Sequence, residues 1–236
     1  MVLRSRAAAL AGLVGGFCAL AGLVASGALT SLDQYAVDHW MPELEPGGET
    51  TPAISVHQLY PHVGTFPRGF FNVWTFPASS FFSAAVLAGC ASVLVRRGQR
   101  TAALVWVAAW IGANAVEVVG KTALHRPALH ATVAGATLPL RSFDHSFPSG
   151  HAVRAVVIVA VLAAVWRRAI WPGLVWIAVV LPALVVTANH TPTDVAGGAL
   201  LALIAITAAE SLVPSRRRAR RAVPRLRFDA AILEER

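Results

Sequence analysis

Three groups of polar residues interrupt an otherwise apolar sequence, and their side chains are the ones phosphoryl chemistry uses. The first is Lys121 with Arg126-Pro127, the second Ser146-Phe147-Pro148-Ser149-Gly150-His151, and the third His190-Thr191-Pro192-Thr193-Asp194. Lys121 and Arg126 supply fixed positive charge, and an arginine fork matches two phosphate oxygens at once. Pro148-Ser149-Gly150 reads as a helix start, where unpaired backbone N–H groups and the positive end of the dipole favour an anion. Ser149 adds a hydroxyl donor, and Gly150 lets a phosphate come close to the backbone. His190 and Asp194 are four residues apart, so a helical turn would put them on one face. A carboxylate there fixes the imidazole tautomer and raises its nucleophilicity. His151 is the second histidine that phosphoryl transfer needs, able to protonate a leaving alkoxide.

Singly, each group has an ordinary explanation. Pro-Ser-Gly is usually a turn, a histidine at an interface is usually just polar, and His-x-x-x-Asp recurs by chance. Their joint weight depends on whether the fold delivers them to one place.

Composition says what kind of fold that is. The 236 residues are 56% hydrophobic and only 14% charged, with mean hydropathy +0.60, whereas a soluble domain carries roughly 25% charged residues. A spanning helix needs roughly 20 mostly apolar residues, and six segments approach this: 7–29, 71–95, 101–120, 150–166, 172–189 and 195–213. None alternates as a barrel strand does, so the expected fold is all-α, a bundle of six transmembrane helices. The first run is longer than the apolar region of a signal peptide and reads as a retained anchor. Residues 1–214 form a single membrane domain without internal repeats, and 215–236 a basic tail. Cys18 and Cys90 lie inside apolar runs and give neither a disulfide framework nor a metal spacing.

The net charge of +8 is distributed as membrane topology requires rather than as a nucleic-acid surface. Arg4 and Arg6 precede the first span, Arg96, Arg97 and Arg100 separate the second from the third, and Arg167 and Arg168 separate the fourth from the fifth. Seven more arginines lie between 216 and 227. With six spans all fall on one side, which the positive-inside rule makes cytoplasmic, together with both termini. The other side holds the acidic connection 30–70, the loop 121–149 and the turn 190–194. Within 30–70, Leu32 to Trp40 reads as a short interfacial helix with Tyr35 and Trp40 at headgroup level, and 42–61 as loop. All three polar groups thus emerge together on the extracytoplasmic face of a cell membrane.

In this order and on this topology, the three groups resemble the motifs of the type 2 phosphatidic acid phosphatase superfamily, integral membrane lipid phosphate phosphatases. That family carries a lysine followed by Arg-Pro, then Pro-Ser-Gly-His, then Ser-Arg with a downstream His-x-x-x-Asp. The resemblance covers nearly the whole chain as span order and 121–194 as motif. It implies that His190 is the nucleophile forming a phosphohistidine, that Asp194 orients it, and that His151 is the acid. It further implies that Lys121, Arg126, Ser149 and Gly150 bind the substrate phosphate, and that neither metal nor other cofactor is needed. The implied partners are a lipid phosphate substrate and the bilayer, with no nucleic acid; nothing in the sequence sets an oligomeric state.

Two departures stand out. Four residues, not six, separate Lys121 from Arg126-Pro127, and Arg126 can instead match an extra arginine that often precedes the motif, leaving Ala128 at the second place. The Ser-Arg expected seven residues before His190 is Ala183-Leu184. Removing a bidentate arginine from the transition state costs on the order of 3 kcal/mol. Arg154, one turn below His151, is the expected replacement, because an intramembrane arginine is expensive unless used; Arg141 is the weaker candidate. Glu117, four residues before Lys121, is placed to pair with it. His125, His130, Asp144 and His145 surround the site, but their spacing fits no zinc pattern. The expected activity is metal-independent phosphate removal from a lipid phosphate or diphosphate of prenyl diphosphate, phosphatidic acid or phosphatidylglycerol phosphate type. The alternatives are transfer of the phosphoryl or head group to an alcohol through the same histidine, and an inactive lipid-binding or transport relative. Relatives that transfer head groups keep both histidines and the aspartate but lack the Ser-Arg.

Overall fold

The structure, a computed structural model, describes residues 2–41, 73–133 and 136–213. Seven helices account for most of it: α1 (Val2–Ala25), α2 (Thr30–His39), α3 (Ser80–Arg96), α4 (Arg100–Ala123), α5 (Gly150–Val165), α6 (Ile170–Val186) and α7 (Pro192–Leu212). Their starts follow from local chemistry. Ser79 and Ser149 cap α3 and α5 by accepting from the N–H groups of Phe82 and Ala152, and Thr191 caps α7 with Pro192 in the first turn. Glycines in the left-handed region, Gly27 (φ 79°) and Gly98 (φ 73°), turn the chain after α1 and α3.

Four helical stretches are long and apolar enough to cross a membrane: Ser5–Ala25, Arg100–Ala123, Arg167–Val186 and Pro192–Leu212. Two apolar helices, Ser80–Arg96 and Gly150–Val165, are shorter. At 1.5 Å per residue a 16-residue helix such as α5 covers about 24 Å.

Helices α5 and α7 form the centre, with α1 lying along α7, α3 and α4 against α5, and α6 on its other side. Arg6 pairs with Glu210 at 3.9 Å, which sets the start of α1 beside the end of α7. Apolar packing falls into two clusters. One, with Leu94, Trp106, Val157 and Leu201, fills the space among α3, α4, α5 and α7 and takes in Cys90. The other gathers Ala36 and Val37 of α2, Leu129, Phe143, Leu184 and Val195 at the end where the polar groups lie. Cys18 is exposed, and both cysteines are free.

Two expectations change. The chain is not wholly α: β1 (His130–Val133) and β2 (Ala136–Pro139) pair antiparallel within the 121–149 loop, His130 opposite Pro139. Four-residue strands are too short for their alternation to stand out from loop sequence. The second apolar segment is not one continuous helix: residues 73–75 are helical, Phe76–Ala78, with Pro77, forms a 3-10 turn, and α3 begins at Ser80. The helix expected over 32–40 is present as α2, with Tyr35 and Trp40 half-exposed. The expected loop 42–61 and tail 215–236 lie outside the described residues.

Candidate active site

The third motif is organised by the start of α7. Thr191 Oγ1 accepts from Asp194 N at 3.4 Å while Asp194 Oδ2 accepts from Thr191 N at 3.0 Å, a reciprocal capping box. His190 precedes the helix. Its N–H donates to the carbonyl of Leu184 at 3.0 Å, and its Nδ1 lies 3.7 Å from Asp194 Oδ2. The pair therefore meets across a cap rather than along one helical face. At 3.7 Å it is an approach and not yet a hydrogen bond, and His190 Nδ1 has no hydrogen-bond partner among the described residues. Catalytic contacts commonly tighten only when substrate binds.

The second motif faces it. Ser149 is fully buried, caps α5, and donates its backbone N–H to the carbonyl of Asp194 at 2.9 Å, so the starts of α5 and α7 are tied together. Gly198 permits this approach, since a Cβ there would stand 2.3 Å from the Ser149 carbonyl oxygen. His151 follows on the first turn of α5, half-buried, and its ring centroid is 6.0 Å from that of His190.

Around the α5 start the cations are held by one carboxylate. Glu117 accepts from Lys121 Nζ at 2.7 Å and from Arg154 Nη1 at 3.0 Å. It lies against Gly150, where a Cβ would come within 2.0 Å of Glu117 Oε1. The glycine expected to admit a phosphate thus admits Glu117. Arg154 is buried and also donates to Asn114 Oδ1 and the Ala78 carbonyl, each at 2.9 Å. Such full pairing is what a buried arginine requires.

Arg126 departs from the expected phosphate fork. Its side chain is 2% exposed and donates to Asp194 Oδ1 at 3.2 Å, to Thr191 Oγ1 at 3.1 Å and to Asp33. Two protein carboxylates engage the guanidinium. Leu184, at the place of the family's motif arginine, is fully buried in the apolar cluster of this end. Arg141 is exposed in the 3-10 turn after β2. His125 and His145 stack edge to face at 4.9 Å, and His145 contacts the carbonyl of Lys121.

Sequence reasoning missed Asp33 and Asn114. Asn114 had a signal, being an amide inside an apolar span one turn before Glu117. Asp33 had none beyond being one acid among several in the 30–70 connection.

Residues 104–218, from early α4 into the tail, match the family model of the PAP2 superfamily. This stretch, just under half of the chain, is a PAP2 superfamily segment. Its fold is similar to that of a transmembrane PAP2-type phosphatidylglycerolphosphate phosphatase from Bacillus subtilis, with a TM-score of 0.60 and 18% identity over 92% of this chain and 98% of that one. No curated protein matches the sequence. With a PAP2 segment and several helices able to cross a bilayer, the chain is a multi-pass membrane protein. The PAP2 segment contains all three motif groups, and Asp33 lies outside it.

Proposed function

We propose that the protein removes phosphate from a lipid phosphate or diphosphate through a phosphohistidine on His190, at the extracytoplasmic face of a six-span bundle with both termini in the cytoplasm. The carrying observation is the pair of rings His151 and His190, 6.0 Å between centroids, beside a carboxylate 3.7 Å from Nδ1 of His190. With Nδ1–H turned to Asp194, the lone pair of His190 Nε2 attacks phosphorus. The bond from phosphorus to the lipid oxygen breaks, and protonated His151 gives that oxygen its proton. Water then attacks the phosphohistidine, returning a proton to His151 and releasing phosphate. Lys121, Arg154, the Ser149-Gly150 turn and the first N–H groups of α5 are assigned to the phosphate, with Glu117 holding the two cations in register. Arg126 acts on Asp194 instead.

The substrates compatible with this site are prenyl diphosphates, phosphatidic acid and phosphatidylglycerol phosphate. Transfer to an alcohol is the second reading, favoured by the buried Leu184 in place of an arginine. One assay separates them: phosphate release from a panel of lipid phosphates in EDTA, by purified wild type beside His190→Ala. Release abolished by His190→Ala is expected, and phosphate appearing on an added alcohol favours transfer. No turnover of any lipid by the wild type sinks both readings.

A further inference from the structure

Helix α2 turns one face inward, with Asp33, Ala36 and Val37 all buried, the i, i+3, i+4 pattern of a docked helix. Two of these are apolar. The third is a carboxylate with 0% exposure, and burying a charge is costly unless it is fully paired.

Among the described residues, the partners of the Asp33 carboxylate belong to the catalytic end. Thr193 in the first turn of α7 donates its backbone N–H to Asp33 Oδ1 at 3.1 Å and its hydroxyl to Oδ2 at 2.6 Å. Arg126 donates its second guanidinium nitrogen to the same Oδ2. The register of α2 is fixed independently by Gln34, which accepts from His130 N at 3.0 Å and donates to His130 O at 2.8 Å. Two carboxylates thus share the start of α7, a place whose dipole favours negative charge, with Arg126 between them.

We propose that Asp33 is a positioning residue for the catalytic pair, acting on His190 through Arg126 and Asp194. This rests on His190 being the nucleophile. An unshared arginine fork closes on a carboxylate with two parallel bonds. Asp33 divides the fork: Nη2 goes to Asp33 and Nη1 alone reaches Asp194 Oδ1. Asp194 Oδ2 is left to Thr191 N and to the approaching His190. Without the Asp33 charge, Arg126 closes bidentately on Asp194 and draws Oδ2 from the imidazole. The nucleophile then loses its orienting partner, while Lys121 and Arg154, held elsewhere by Glu117, keep the phosphate. The defect falls on kcat and spares KM.

The test uses the purified full-length protein in detergent, with whichever of dioctanoyl phosphatidic acid and farnesyl diphosphate the wild type turns over faster. Asp33→Asn should lower kcat at least tenfold with KM within twofold of wild type, and slow phosphoenzyme formation in a single turnover by the same factor. If Asp33→Asn does not reach the membrane, Asp33→Glu keeps the charge but displaces it, and a folded variant with lowered kcat and unchanged KM supports the proposal. A folded variant with wild-type kcat, or one changed only in KM, overturns it. A wild type no more active than His190→Ala sinks the functional reading and this inference together. An active wild type beside an unaffected Asp33 variant sinks the inference alone.

Discussion

The rings of His151 and His190 stand 6.0 Å apart at their centroids with planes inclined by 56°. An in-line transfer needs its nucleophile and its acid on opposite sides of phosphorus, each within about 3 Å of the atom it acts on, and this separation suits one phosphoryl group between them. The acid matters only as far as the leaving group needs a proton. His151→Asn should therefore lower kcat on a lipid phosphate by about a hundredfold or more, and much less on p-nitrophenyl phosphate, whose leaving group departs as an anion. Steady-state rates on both substrates check this, and equal losses count against His151 as the acid.

Thr191 is joined to Asp194 twice and to Arg126 once. Thr191→Val should cost about 0.5–2 kcal/mol of stability, the usual worth of an N-cap, and should lower kcat as well because Asp194 loses its fixed position. Thermal unfolding in detergent beside kcat on the same preparation measures both. A stability loss with full activity would detach the cap from the chemistry.

Glu117 brings a negative charge to the seat shared by Lys121 and Arg154. Glu117→Gln keeps an acceptor there but raises the local charge by one. Inorganic phosphate should then inhibit several-fold more strongly, while thermal stability falls because the pairing of buried Arg154 weakens. Unchanged phosphate inhibition would place Glu117 outside the seat.

A methyl at residue 150 would overlap the Glu117 carboxylate. Gly150→Ala should cost about 1–3 kcal/mol by overpacking, with reduced phosphate affinity as Lys121 and Arg154 shift. The melting temperature and KM report this, and a neutral variant would mean that Glu117 moves aside freely.

Leu184→Arg restores the residue type of the family motif at a place that is now fully buried and apolar. The expected result is less folded protein, since a charge buried without a partner is strongly unfavourable, and not a gain in hydrolysis. A folded, faster variant would show that the position opens to the phosphate.

The sequence carried the membrane class, the positions of the long apolar helices and the three polar groups, because each depends on local composition or on a short motif. It placed α5 over 150–166 against an observed Gly150–Val165 and α7 over 195–213 against Pro192–Leu212. What it did not carry depends on pairing at a distance. Arg126 looks like a free fork until Asp33, 93 positions earlier, is seen against it. Glu117 was placed beside Lys121 by a four-residue spacing, but its bond to Arg154, 37 positions on, was not legible. The hairpin escaped notice for a third reason: its strands are four residues long and bury little.

The Glu117–Arg154 pair also bears on how the chain enters its membrane. The two charges sit on α4 and α5, successive helices joined by the 124–149 connection. Glu117 has Lys121 of its own helix as a second partner, whereas among the described residues Arg154 of α5 finds its counter-charge on α4 alone. Released singly, α5 would expose an unmatched charge to hydrocarbon; beside α4 that charge is paired. The expected consequence is that α5 enters the bilayer together with α4, as one hairpin.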